Sequence, residues 1–245
     1  MRLSKILSRR DMLTLSRATI TALFVGGCTS KKSSFAQTST NKTTLPTCIV
    51  SPQQTEGPYF VDEKLNRSDI RTDPTDGKVS EGAPLQLTLR VSGVGNDSCT
   101  PIAGAIVDIW HCDALGVYSD VTDRSFDTVG KKFLRGYQVT DNNGTVRFTT
   151  IYPGWYQGRT VHIHFKVRTA EVSSRQSYEF TSQLYFDDAV SDRVYKQMPY
   201  TSKGKRNQTN EQDGIFQGGG DNLMLSVTEN QQGVAATFNI GLQIA

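Results

Sequence analysis

Beyond about residue 80 the chain repeatedly places apolar residues at every second position, the period of a half-buried β-strand. Leu85, Leu87, Leu89 and Val91 alternate with polar residues, and Val94-Gly95-Asn96-Asp97 supplies a turn after them. Residues 105–110 predict a second strand, apolar on both faces. Thr140-Asp141-Asn142-Asn143-Gly144 predicts a β-hairpin leading into Val146, Phe148 and Thr150. Residues 182–186 read as another short strand. Residues 222–228 and 234–244 read as a closing pair, with Phe238, Ile240, Leu242 and Ile244 on one face. Only residues 188–198 have a helical look, and Pro199 ends them. Many short strands and one brief helix predict an all-β protein, an antiparallel β-sandwich with long loops. The polar coils at residues 51–82 and 200–220 are long enough to serve as walls around a site.

The most informative alternation is Val161, Ile163, Phe165 and Val167, because the positions between them are His162, His164 and Lys166. A strand sends residues i and i+2 to the same face. If the apolar set faces the core, two of the chain's three histidines and Lys166 face a cleft together. Two imidazoles on a rigid strand suit a metal, but His-x-His alone is equally compatible with a polar face carrying two hydrogen-bonded histidines.

Composition changes the picture at the amino terminus. Ser8-Arg9-Arg10-Asp11-Met12-Leu13 is a twin-arginine pattern, followed by an apolar run and by Val25-Gly26-Gly27-Cys28. Residues 1–28 therefore read as an export signal, with Cys28 a candidate for lipidation, and the protein is expected in the periplasm or anchored to a membrane outside the cytoplasm. Residues 29–47 are mostly Ser, Thr, Lys, Asn and Gln and read as a flexible linker. Residues 48–245 are then the folded body. Without the signal, 22 of the 27 basic residues and 23 of the 24 acidic ones remain, so the formal charge of +3 gives no support to nucleic-acid binding. Contact with a membrane is expected only through a lipid on Cys28. Of the remaining cysteines, Cys48 and Cys99 sit beside turn-like sequence and are candidates for a disulfide, with two buried thiols as the alternative. Cys112 reads as a packed thiol.

Several blocks carry a resemblance. They are Thr55-Glu56-Gly57-Pro58-Tyr59-Phe60, Trp110-His111-Cys112-Asp113-Ala114-Leu115-Gly116-Val117-Tyr118, Arg135-Gly136-Tyr137-Gln138-Val139, and Pro153-Gly154-Trp155-Tyr156 running into Gly158-Arg159-Thr160-Val161-His162-Ile163-His164. Together they resemble the intradiol ring-cleaving dioxygenases, the protocatechuate and catechol 1,2-type enzymes. The resemblance implies a non-haem Fe(III) held by Tyr118, Tyr156, His162 and His164, with Tyr156 and His164 axial. Phenolate oxygen is a hard donor that suits ferric iron. The implied reaction inserts O2 into a catechol between its two hydroxylated carbons and gives a cis,cis-muconate type diacid. Arg159 matches the family's active-site arginine, Gln183 an amide near the same pocket, and Tyr59 a pocket wall. His111 matches no ligand position and reads as structural, as do Tyr137, Tyr152, Tyr178, Tyr185, Tyr195 and Tyr200.

Two departures bear on these expectations. Only Gln157 to Val161 separate the second tyrosine from the first histidine, where many relatives carry a longer insert, so part of the usual pocket wall is missing. The helical region through which catechol 1,2-type enzymes dimerise is also missing, so oligomeric state does not carry over. Two other readings compete: a noncatalytic β-sandwich lipoprotein with a degenerate metal pocket that binds a ligand or partner, and a zinc hydrolase built on the histidine pair. The second lacks a carboxylate at ligand spacing.

Overall fold

A computed structural model describes residues 49–95, 98–169, 177–230 and 233–243. The export signal, the linker, Cys28 and Cys48 lie outside the described residues, which all fall in the unit Leu45–Ala245. Leu85, Leu87, Leu89 and Val91 are buried on one face of β1 (Pro84–Val94), as their alternation predicts. The other strands are β2 (Cys99–Pro101), β3 (Ile106–Trp110), β4 (Arg135–Val139), β5 (Thr145–Ile151), β6 (His162–Thr169), β7 (Tyr178–Tyr185), β8 (Ser226–Asn230) and β9 (Gly233–Leu242).

Two sheets form. One runs β2-β1-β9-β8, with β5 also paired to β1; the other runs β4-β3-β6-β7. Every pairing is antiparallel except β1 with β9, which is parallel. The apolar faces meet in one core that includes Leu87, Phe148 and Ile240 from the first sheet and Val107, Ile163, Phe165 and Leu184 from the second. Phe165 is fully buried there, so Phe165→Ala is expected to cost about 3–5 kcal/mol in urea unfolding.

Three sequence expectations are corrected. The turn at Asp141–Gly144 forms, with Gly144 at φ +69° and Asp141 Oδ1 accepting the Asn143 and Thr145 amides at 2.9 Å each. It does not close a hairpin, because β4 and β5 belong to different sheets. Buried Thr140 fixes that exit: its hydroxyl donates to Ile102 O at 2.7 Å and accepts from the Ala105 amide at 2.9 Å. The helix α1 (Asp188–Val194) is shorter than expected; Asp187 caps it by accepting from the Ala189 amide. The coil that follows is not structureless but holds 3-10 turns at Tyr200–Lys203, Asn210–Gln212, Phe216–Gly218 and Gly220–Leu223. Their apolar residues Tyr200, Phe216 and Leu223 are buried. Cys99 is disulfide-bonded, and its expected partner Cys48 is outside the described residues. Cys112 is a buried free thiol, 3.4 Å from Gly154 O.

Candidate metal centre

The site grows from the register of the four-stranded sheet. β6 lies between β3 and β7, and one cross-strand row reads Trp110, His164, Gln183 while the adjacent pair is His162 and Tyr185. Ile163, Phe165 and Val167 point into the core and the two imidazoles point the other way, but that second face is covered too. Trp110 stacks on the His164 ring with centroids 5.0 Å apart. Lys166, expected in a cleft, is instead closed off between Glu56 and Glu179 under the Phe60 ring.

His162 Nδ1 donates to the Thr160 carbonyl at 2.6 Å, which assigns its proton to that nitrogen and leaves Nε2 as a bare lone pair. Around that Nε2 the structure gathers His164 Nε2 at 3.1 Å, the Tyr156 hydroxyl at 3.2 Å and the Tyr118 hydroxyl at 3.4 Å. Burial, with the Arg159 cation adding to it, pushes the His162 pKa down to about 3, so the ring is neutral at neutral pH. Burial also raises the Tyr118 and Tyr156 hydroxyls well above the usual tyrosine range. Neither ionises there without a cation to stabilise the phenolate.

Loops bring the tyrosines in. Asp113 Oδ1 accepts the Leu115 and Val117 amides, which shapes the turn before Tyr118. Gly154 N–H donates to Asp113 O at 2.9 Å, and a Cβ on Gly154 would collide with the Ala114 carbonyl; glycine there lets the turn carrying Tyr156 seat against the Tyr118 loop. Buried Arg135 donates to the Ser119 hydroxyl at 2.8 Å and to the carbonyls of Ser119 and Tyr59. It thereby fixes the chain just past Tyr118 and the segment whose Tyr59 ring stacks on Tyr118 at 4.5 Å. The Tyr59 hydroxyl donates to Asp123 at 2.8 Å; burial and that bond raise its pKa to about 12. Tyr59 and Tyr156 line a cavity of about 580 Å³, together with Leu115, Phe126, Trp155 and Lys203.

Arg159 lies beside this cluster and is held by two groups. Its Nε donates to Asp213 Oδ2 at 2.9 Å and its Nη2 to Gln183 Oε1. Gln183 is fully buried; its Nε2 donates to Thr55 O at 2.9 Å, and Tyr185 donates to its Oε1 at 3.2 Å. Tyr185 therefore belongs to the site's hydrogen-bond network rather than to packing alone. His111 does not reach the cluster: it spans Cys112 O and the Thr150 hydroxyl, as the structural reading expected.

Asp213 was not legible from the sequence. Its carboxylate is 1 % exposed and accepts from Arg159 Nε and from the amides of Thr160, Ile215 and Phe216. Asn210 accepts from the Thr160 hydroxyl at 2.6 Å. The chain around residues 210–216 thus fixes both Arg159 and the carbonyl that orients His162. The nearest sequence signal is Asp213-Gly214, an ordinary turn pair that says nothing of burial.

A family model described as Dioxygenase matches residues 55–243, more than three quarters of the chain. The chain belongs to the intradiol ring-cleavage dioxygenases. Among solved members, an intradiol ring-cleavage dioxygenase from Tetranychus urticae is 33% identical, with a TM-score of 0.68 over 80% of this chain and 95% of that one. The dioxygenase domain of a carbohydrate-binding fusion protein from Streptomyces sp. SirexAA-E is 29% identical, with a TM-score of 0.55 over 80% of this chain and all of that domain. A chlorocatechol 1,2-dioxygenase of Pseudomonas putida is 29% identical over 152 residues, 54% of this dioxygenase-family chain and 52% of the relative. The beta chain of protocatechuate 3,4-dioxygenase from Burkholderia cepacia is 32% identical over 123 residues, 46% of this chain and 51% of that one. The chain spans about half the length of these curated relatives.

Proposed function

We propose that this chain is a non-haem Fe(III) intradiol dioxygenase that inserts O2 between the hydroxylated carbons of a catechol and releases a cis,cis-muconate type diacid. The observation that carries the reading is the convergence of two hydroxyls and one imidazole nitrogen within 3.4 Å of His162 Nε2. Metal–nitrogen bonds of roughly 2.1 Å would set adjacent ligands about 3 Å apart. The donor set therefore fits one shared ion, with Tyr118, Tyr156, His162 and His164 as ligands. Two hard phenolates favour ferric iron over the softer or divalent choices. Among the described residues no cluster of three His, Cys, Asp or Glu offers a cation the alternative set that a zinc hydrolase would use.

Bound there, ferric iron supplies Lewis acidity toward the catechol oxygens. The remaining work falls to the chain. Tyr156, at the rim of the cavity, is placed to take a proton from the incoming diol at its Oη. Arg159, a fixed cation locked by Asp213 and Gln183, faces negative charge that develops on the ring. Tyr59 and Trp110 fill the space around Tyr118 and His164 and exclude water from it. The intact donor set and the fixed arginine disfavour a degenerate, noncatalytic pocket. We further propose that residues 1–28 export the protein and that residues 48–245 form its catalytic domain.

Oxygen uptake with a panel of substituted catechols, with product mass, tests the activity. Uptake of one O2 per catechol, with both atoms in a ring-opened diacid, is expected; no uptake with any member contradicts it. Tyr156→Phe keeps the ring and removes the oxygen. It is expected to shift the visible absorption of the iron-loaded protein and to slow turnover on the order of a hundredfold, the scale of losing one group in acid–base catalysis.

A further inference from the structure

One cation stands in the wall of the cavity beside Tyr156. Among the described lining residues Lys203 is the single basic side chain and Asp123 the single carboxylate. Asp123 is engaged by the Tyr59 hydroxyl and the Ser125 amide. Lys203 makes no ion pair among the described residues. Its Nζ donates to the Leu115 carbonyl and lies 4.9 Å from the centroid of the Trp155 ring. An ammonium has three N–H donors, so this single acceptor among the described residues leaves capacity for an anion.

The position is held firmly. Lys203 ends the 3-10 turn Tyr200–Lys203, whose buried Tyr200 donates to Tyr152 O at 2.7 Å and accepts from the Ala83 amide at 3.0 Å. Trp155 Nε1 donates to Gly204 O at 3.3 Å, tying the tyrosine-bearing turn to the residue after Lys203. Gly116, at φ +82°, leaves room for Nζ that a Cβ would occupy. The rest of the cavity wall is aromatic, from Tyr59, Phe126, Trp155 and Tyr156. Its volume of about 580 Å³ falls in the usual range for ligands larger than a single ring, about 300–1,000 Å³.

We propose that Lys203 Nζ recognises a carboxylate carried by the catechol on the side of the ring away from the diol, which makes carboxylated catechols the preferred substrate class. The inference rests on the dioxygenase reading and adds specificity to it. A charge-assisted hydrogen bond in a partly desolvated site is strong enough to dominate the choice between an anionic and a neutral substituent. Lys203→Arg retains a cation at the site; Lys203→Met keeps the length of the side chain and loses the charge.

The test compares kcat/KM for 3,4-dihydroxybenzoate with that for 4-methylcatechol in wild type, Lys203→Met and Lys203→Arg. Wild type is expected to favour the carboxylate. Lys203→Met is expected to lower the ratio about tenfold or more, chiefly through KM, with most of it restored in Lys203→Arg. Equal losses on both substrates, or an unchanged ratio, overturn the proposal and leave Lys203 as a strut between loops. Anaerobic calorimetry of 3,4-dihydroxybenzoate binding reads the same recognition without turnover, and equal affinity in wild type and Lys203→Met also overturns it. A wild type that takes up no O2 with any member of the catechol panel sinks the dioxygenase reading, with calorimetry still deciding the role of the lysine.

Discussion

His162→Ala is expected to yield folded protein that retains no stoichiometric iron and no activity above background. His162 Nε2 is the atom that the other three donors face, so its loss opens the centre of the cluster rather than one edge. Changes to residues that merely orient a ligand cost roughly 10–100-fold in metal affinity or activity, and removal of the ligand itself should exceed that. Metal analysis after gel filtration, with circular dichroism to show that the fold persists, provides the measurement. Full iron content in the folded variant would mean that the ligand set is wrong. Thr160→Ala is a milder companion change, since it leaves the carbonyl that accepts from His162 Nδ1 in place.

Asp213→Ala is expected to give the largest loss of stability of any single change in the site, about 3–5 kcal/mol, the range for removing one partner of a buried ion pair. The substitution strands Arg159 Nε and the amides of Thr160, Ile215 and Phe216. Urea unfolding reads the loss, and a change below about 1 kcal/mol, the worth of an exposed ion pair, contradicts the assigned role. The pH dependence has a definite sign. Burial alone would raise this carboxyl's pKa, but the Thr160 amide and Arg159 more than offset burial and hold it below the ordinary carboxylate value. Its contribution is therefore fully present above the unfolded pKa of about 4 and is lost as pH falls through the lower folded value. Asp213→Asn should flatten that acid limb. Turnover should fall as well, because Arg159 loses the partner that fixes its orientation.

Period and chemistry made the histidine strand readable before any coordinates. Val161, Ile163, Phe165 and Val167 could face only a core, and that fixed where His162 and His164 point. What periodicity did not reveal is that the opposite face is buried as well, because the cover comes from Trp110, Tyr59 and Phe60, which are distant in sequence. The turn at Asp141–Gly144 was legible as a chain reversal, but local turn chemistry does not specify which sheet receives the next strand. Thr140, bonded to Ile102 and Ala105, decides that. The 3-10 turns between residues 200 and 223 are too short to show a helical period. Asp213 and Arg135 escaped because a buried charge looks like a surface charge until its distant partners are known: Arg159 and Thr160 lie 53 or more positions from Asp213, and Ser119 and Tyr59 lie 16 or more from Arg135.

Two phenolates and two imidazoles sharing one ferric ion would colour the purified, iron-loaded protein, so visible absorption read beside metal content is the decisive measurement. A red to purple protein with one iron per chain is expected, with a band that moves when catechol is added without oxygen. A colourless protein carrying stoichiometric zinc, or an iron protein whose spectrum ignores catechol, would contradict that ligand set.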